Sequence, residues 1–114
     1  MRRRTVGFVL MILLLSGFLI AQADDRVEIK MTIKNNRFVP DEIRVQAGKS
    51  VTLTITNSDA TVEEFESFSL NREKLIPAGK TITIFLPKLQ PGTYEFVGEF
   101  HPETARGRLT VEQP

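Results

Sequence analysis

The sequence predicts an all-β sandwich of about seven short strands, and three observations support this. Apolar and polar residues alternate in several short runs, which is the period of a half-buried strand. Turn residues such as Pro40, Gly48 and Pro91-Gly92 separate these runs at regular intervals. After residue 23, no run longer than about ten residues has the apolar spacing of a helix.

The strands can be assigned in chain order. Residues 27–34 alternate apolar and polar side chains, and residues 51–57 do the same with Val51, Leu53 and Ile55 predicted to face inward. Between these two strands the alternation breaks at Pro40 and resumes at Ile43 and Val45. Further strands are predicted at 65–70, 82–86, 93–97 and 107–113.

Residues 1–23 have the order of a secretory signal peptide. The basic start MRRR precedes an apolar run at 6–21, and Ala21-Gln22-Ala23 is a small-x-small cleavage site. Cleavage after Ala23 leaves one small domain, residues 24–114, in the periplasm. The alternative is an uncleaved leader that anchors the domain to the inner membrane, although the run is shorter than the roughly 20 apolar residues of a span.

Composition excludes several classes of function. Without the three leader arginines, 12 of the 15 basic residues remain against 14 acidic ones, a net charge of 12 − 14 = −2, so no nucleic-acid partner is expected. The chain lacks a Ser/His/Asp or Cys/His set and is too small for a deep cleft, so no small organic substrate is expected. Since it has no Cys, sheet packing or a bound ion must stabilise it.

Four motifs, taken in order, resemble the cupredoxin superfamily. They are F-x-P-x-x-I-x-V-x-A-G-x-x-V at 38–51, T-N-x-D at 56–59, L-x-P-G-x-Y-x-F at 89–96 and H-x(5)-G-x-L-x-V at 101–111. The resemblance implies a Greek-key β-sandwich with a metal site at one end.

The copper ligands of that family are two His, one Cys and often one Met, and most of them are missing here. The second His is matched by His101, but Gly98 stands at the Cys position and Ala105 at the Met position. The region of the first His reads Val-Glu-Glu-Phe-Glu, residues 62–66. A type 1 blue copper site needs a trigonal His₂Cys set, so none is expected.

Strand parity suggests which carboxylates replace the missing ligands. If the apolar Phe68 and Leu70 face the core, Ser67 and Ser69 face water, and counting back by two turns Glu66 and Glu64 inward. The same parity leaves Glu63 in solvent. Inward carboxylates are costly unless they are paired or bind a metal. Pairing of Glu64 and Glu66 with Arg72 or Lys74 is the alternative to metal binding.

In a cupredoxin frame His101 would lie across from these carboxylates, with Glu99 two residues earlier. The predicted metal ligands are therefore Glu64, Glu66, Glu99 and His101, while the participation of Glu63 or Glu73 stays open. Carboxylates with one imidazole form a hard ligand set that suits Fe(III), Fe(II), Cu(II) or Mn(II).

A narrower resemblance points to iron. The segments E-F-E-S at 64–67, R-E-K-L-I-P-A-G-K at 72–80 and G-E-F-H-P-E-T-A-x-G at 98–107 are similar to the EfeO-type cupredoxin-like family. The resemblance implies an iron or copper ion and a role in periplasmic iron uptake, beside an inner-membrane iron permease. Two alternatives are a metal-free domain that docks on a membrane partner, and a ferroxidase that converts Fe(II) to Fe(III).

Overall fold

The structure is a computed structural model that describes residues 25–114. This part of the chain forms nine strands and no helix: β1 (Arg26–Lys34), β2 (Arg37–Val39), β3 (Glu42–Gln46), β4 (Ser50–Asn57), β5 (Glu63–Ser67), β6 (Arg72–Ile76), β7 (Thr81–Leu86), β8 (Gly92–Gly98) and β9 (Arg106–Glu112). The all-β prediction is confirmed, with nine strands instead of about seven. The signal peptide predicted for residues 1–23 lies outside the described residues.

The strands form two sheets. The first has the order β2-β1-β4-β7 and the second the order β3-β9-β8-β5-β6. Strands β1 and β4 run parallel, as do β3 and β9, and the other neighbours are antiparallel. The second sheet carries the candidate site, because β5 and the loop that follows β8 lie side by side in it.

The inner faces of the two sheets enclose one apolar core. The side chains predicted to face inward from β4 are fully buried. Phe65 of β5 is also fully buried and stacks on Phe96 of β8 with ring centroids 5.1 Å apart, while Phe38 meets both rings edge-on. This aromatic cluster fixes which face of β5 points inward.

The prediction for the face of β5 was wrong by one residue. Glu63, Phe65 and Ser67 are buried, whereas Glu64 and Glu66 are only partly buried on the outer face. Phe68, which was expected in the core, is 90% exposed because β5 ends at Ser67 and residues 68–71 form a turn. The period-two count therefore started outside the strand, and a shift of one residue moves every side chain to the opposite face.

No helix among the described residues is long and apolar enough to cross a membrane.

Candidate functional site

The loop after β8 and the first residue of β5 build a buried polar contact. Glu63 was expected in solvent, but its side chain is 1% exposed, and its Oε2 lies 2.7 Å from Nδ1 of His101. The backbone N–H groups of Glu64 and Phe100 donate to Oε1 at 2.9 and 2.8 Å. A buried carboxylate is tolerated when it is paired and hydrogen-bonded, and these three partners meet that requirement.

The residues at the Cys and Met positions of the motif lie against this contact. A Cβ atom added to Gly98 would come within 2.7 Å of the Glu63 carboxyl group and within 2.6 Å of Cβ of Ala105. The Gly98 N–H donates to the carbonyl of Ala105 at 2.8 Å, and the His101 N–H donates to the carbonyl of Gly98 at 3.1 Å. Positions 63, 98, 101 and 105 thus converge at one point inside the end of the sandwich.

A second, acidic cluster lies on the outer face of the same sheet. One carboxylate oxygen each from Glu64, Glu73 and Glu99 lies within 4.8 Å of the others. The cluster forms because β6 pairs with β5, which places Glu73 directly opposite Glu66, and because the Glu99 N–H donates to the carbonyl of Glu64 at 2.9 Å. Glu73 and Glu99 are exposed, and Glu64 is partly buried.

The proximity of these acids favours their protonated forms. A hydrogen bond with Glu99, followed by desolvation and the charges of Glu73, Glu99 and Glu66, raises the pKa of Glu64 from 4.5 to about 7. Desolvation and the charges of Glu99 and Glu73 also raise the pKa of Glu66. Like charges on one sheet face repel one another. Binding of a proton or a cation therefore stabilises the cluster.

None of the ion pairs described for residues 25–114 joins a basic side chain to this cluster. The ion pairs in this part of the chain involve other acids. Arg72, which was an alternative partner for Glu64 and Glu66, donates instead to the backbone carbonyls of Phe85, Leu70 and Asn71. The four acidic residues therefore face one another without a described counter-charge.

The predicted ligands are thus divided between the two faces of the sheet. Glu64 and Glu99 meet on the outer face with Glu73, and Glu66 lies beside them. His101 lies apart from this group, in contact with Glu63. Sequence reasoning missed the burial of Glu63. Phe65 could have revealed it. An aromatic residue inside the strand marks the buried face better than Phe68, which lies in the turn after β5.

Comparison with solved structures identifies the class of fold. The metal-binding domain of the Cu(I)-exporting P-type ATPase CopA of Streptococcus pneumoniae D39 superposes with a TM-score of 0.71 at 16% identity, over 82% of this chain and 92% of that one. Auracyanin A, a blue copper protein of Chloroflexus aurantiacus, gives 0.66 at 19% identity, over 76% and 99% of the two chains. These likenesses define the fold, a cupredoxin-type β-sandwich.

The family is then fixed by sequence. The family model described as the cupredoxin-like domain matches residues 6–111, so this chain belongs to the cupredoxin-like domain family. An uncharacterised protein of Rickettsia prowazekii (strain Madrid E) is 44% identical over 88 residues, which cover 77% of this chain and 70% of the relative.

The family relationship raises the question of whether a resident copper fits this chain. The converging positions 63, 98, 101 and 105 offer one carboxylate and one imidazole, since Gly98 and Ala105 carry no ligand atom. A blue copper site needs two imidazoles and a thiolate, and the chain contains no Cys and one His. The residues at this end of the sandwich therefore do not fit a type 1 copper ion.

Proposed function

We propose that this protein is an exported metal-binding protein of a bacterial iron-uptake system, and that it binds its cation on the outer acidic cluster. The observation that supports this proposal best is the meeting of Glu64, Glu73 and Glu99 from three separate segments. Their carboxylates crowd together without a described basic partner, and the repulsion is relieved when a cation enters.

Ligand chemistry supports a hard cation at this cluster. Carboxylate oxygens favour hard ions over Cu(I), which prefers thiolate and thioether ligands. Iron is the cation that the resemblance to EfeO-type sequences implies, and Cu(II) and Mn(II) are the alternatives. Glu66 is the neighbouring carboxylate that can complete the oxygen set, because it shares the same face and repels the same charges.

The exposure of the cluster supports a role in transfer rather than storage. Glu73 and Glu99 are exposed, so a partner protein can approach the bound ion and exchange ligands with it. Together with the signal peptide predicted for residues 1–23, this favours a periplasmic carrier that passes the ion to an inner-membrane permease.

A docking domain without a metal is the second candidate, and one residue favours it. Phe68 is 90% exposed and lines a surface groove of about 420 Å³ next to Glu66. An aromatic ring that lines a mostly apolar groove is a suitable anchor for a protein partner. This candidate predicts that added ions leave the stability of the protein unchanged.

The experiment is thermal unfolding of the protein at pH 7.5 with Fe(III)-citrate, Fe(II), Cu(II), Mn(II), Zn(II) or Ca(II). An ion at about 100 times its Kd adds about 2.7 kcal/mol to the free energy of unfolding. In a domain of this size that is a rise in Tm of roughly 10 °C or more. The double variant Glu64→Gln/Glu99→Gln should lose the rise.

Glu28→Gln is the matched control, because Glu28 is an exposed acid on the other sheet. It removes one acidic charge outside the cluster and should keep the metal-induced rise in Tm. A rise that survives in the double variant would place the ion elsewhere, and no rise with any ion would favour the docking domain.

A further inference from the structure

We infer that the Glu63 carboxylate takes the place of a metal ion at the end of this sandwich, so that a hydrogen-bonded Glu63–His101 pair, and not an ion, ties β5 to the loop after β8. The inference concerns the interior of the second sheet. It is independent of the cation proposed for the outer face.

The carboxylate makes the links that a metal would make. In a His₂Cys site one ion joins ligands from different segments of the chain. Here Oε1 accepts the N–H groups of Glu64 and Phe100 at 2.9 and 2.8 Å, and Oε2 meets Nδ1 of His101 at 2.7 Å. Both oxygens of Glu63 are therefore used, and they connect β5 to two successive residues of the loop.

Glycine at position 98 is a consequence of this arrangement. The space in front of Gly98 is filled by the Glu63 carboxyl group at 2.7 Å and by Cβ of Ala105 at 2.6 Å, both measured from an added Cβ. Any side chain at position 98, including the thiol of a Cys, would have to displace one of them. The burial of the Glu63 carboxyl group therefore leaves no space for a Cys side chain at position 98.

The pair also determines the role of His101. A carboxylate oxygen and an imidazole nitrogen that lie 2.7 Å apart must share a proton, so Nδ1 has no free lone pair for a metal. Since the Glu63 side chain is 1% exposed and the His101 side chain 25% exposed, the contact is shielded from water. Nδ1 of His101 is then a structural partner of Glu63, and Nε2 is the only atom of this ring left to act as a ligand.

The test uses the nitrogen resonances of the imidazole of isotope-labelled protein, which are easy to assign because the chain has a single His. In the wild-type protein Nδ1 should carry a proton, and it should keep that proton when stoichiometric Zn(II) is added. Loss of the Nδ1 proton on addition of Zn(II), or an Nδ1 without a proton in the metal-free protein, would overturn the inference.

Glu63→Gln provides a second readout. The amide oxygen should accept the two backbone N–H groups, so the amide NH₂ faces Nδ1 and the imidazole proton moves to Nε2. Retention of the proton on Nδ1 would contradict the pair. Glu64→Gln is the matched control and should leave the spectrum unchanged, because Glu64 lies on the other face of β5.

If Glu63→Gln does not fold, the imidazole nitrogen resonances of the wild-type protein alone test the inference. The thermal experiment gives a separate result: if no ion raises the Tm of the wild-type protein, the outer cation site is removed, while a proton retained on Nδ1 still supports the Glu63–His101 pair.

Discussion

Gly98 stands at the Cys position of the cupredoxin motif, and its packing leaves no room for a side chain. Its backbone does not have the left-handed conformation that favours glycine, so the requirement for glycine comes from space alone. The neighbours at 2.6–2.7 Å from an added Cβ are a buried carboxyl group and a backbone-attached methyl, neither of which can move freely. Small changes of volume are felt strongly in such close packing.

Gly98→Ala should lower the free energy of unfolding by about 1–3 kcal/mol, which is typical of overpacking. Urea unfolding measures the loss. In a Glu63→Ala background the additional loss should be smaller, because one of the two clashing groups is gone and residues in contact are coupled. An equal loss in both backgrounds would show that the Glu63 carboxyl group does not fill the space in front of Gly98.

At the scale of the strands, the T-N-x-D segment at the end of β4 connects this strand to neighbouring segments by hydrogen bonds. Asn57 is fully buried, and its side-chain amide donates to the carbonyls of Thr61 and Ile76 at 2.8 and 2.9 Å, while its Oδ1 accepts the Asp59 N–H. Asp59 in turn accepts the backbone N–H groups of Asn35 and Asn36. The motif therefore joins three segments: the loop after β4, the end of β6 and the turn between β1 and β2.

Asn57→Ala should cost about 2–4 kcal/mol, because it leaves two carbonyls and one N–H without their partner at a buried position. Asn57→Asp should also destabilise the protein, since it loses both N–H donors. The change in the urea midpoint measures both effects. Ser58→Ala, at an exposed neighbouring position, is the control; a loss as large as that of Asn57→Ala would refute the specific role of the amide.

At the scale of the whole molecule, the outer acidic cluster makes stability depend on pH. The pKa of Glu64 is about 7 in the folded protein, against 4.5 for an ordinary glutamate. Between these values the folded protein binds more protons than the unfolded chain. Without a cation, the free energy of unfolding should therefore fall as the pH rises from about 4.5 to about 7, and level off above it.

Glu64→Gln should flatten this dependence, and the raised pKa of Glu66 should leave a smaller slope. Urea midpoints between pH 4 and 9 in the presence of chelator measure it. Glu28→Gln should keep the wild-type slope. If the free energy of unfolding of Glu64→Gln falls with pH as steeply as that of the wild-type protein, protonation of Glu64 is not the cause of the dependence.

The sequence by itself determined the class of fold and excluded one kind of site. Alternation at 27–34, 51–57 and 82–86 defined strands correctly, because a half-buried strand imposes its period on the residues that form it. The absence of Cys excluded a type 1 copper site without any structure. The sequence also shows a carboxylate-rich segment near residue 64.

Only the tertiary structure decided which way these carboxylates point and which of them meet. Local parity fixes a face only if the reference residue belongs to the strand, and Phe68 lies in the turn after β5. Glu73 and Glu99 join Glu64 through the pairing of β6 with β5 and through a loop that follows β8. Such pairings depend on the packing of the whole sheet, so no local pattern could bring Glu73 and Glu99 to Glu64, or His101 to Glu63.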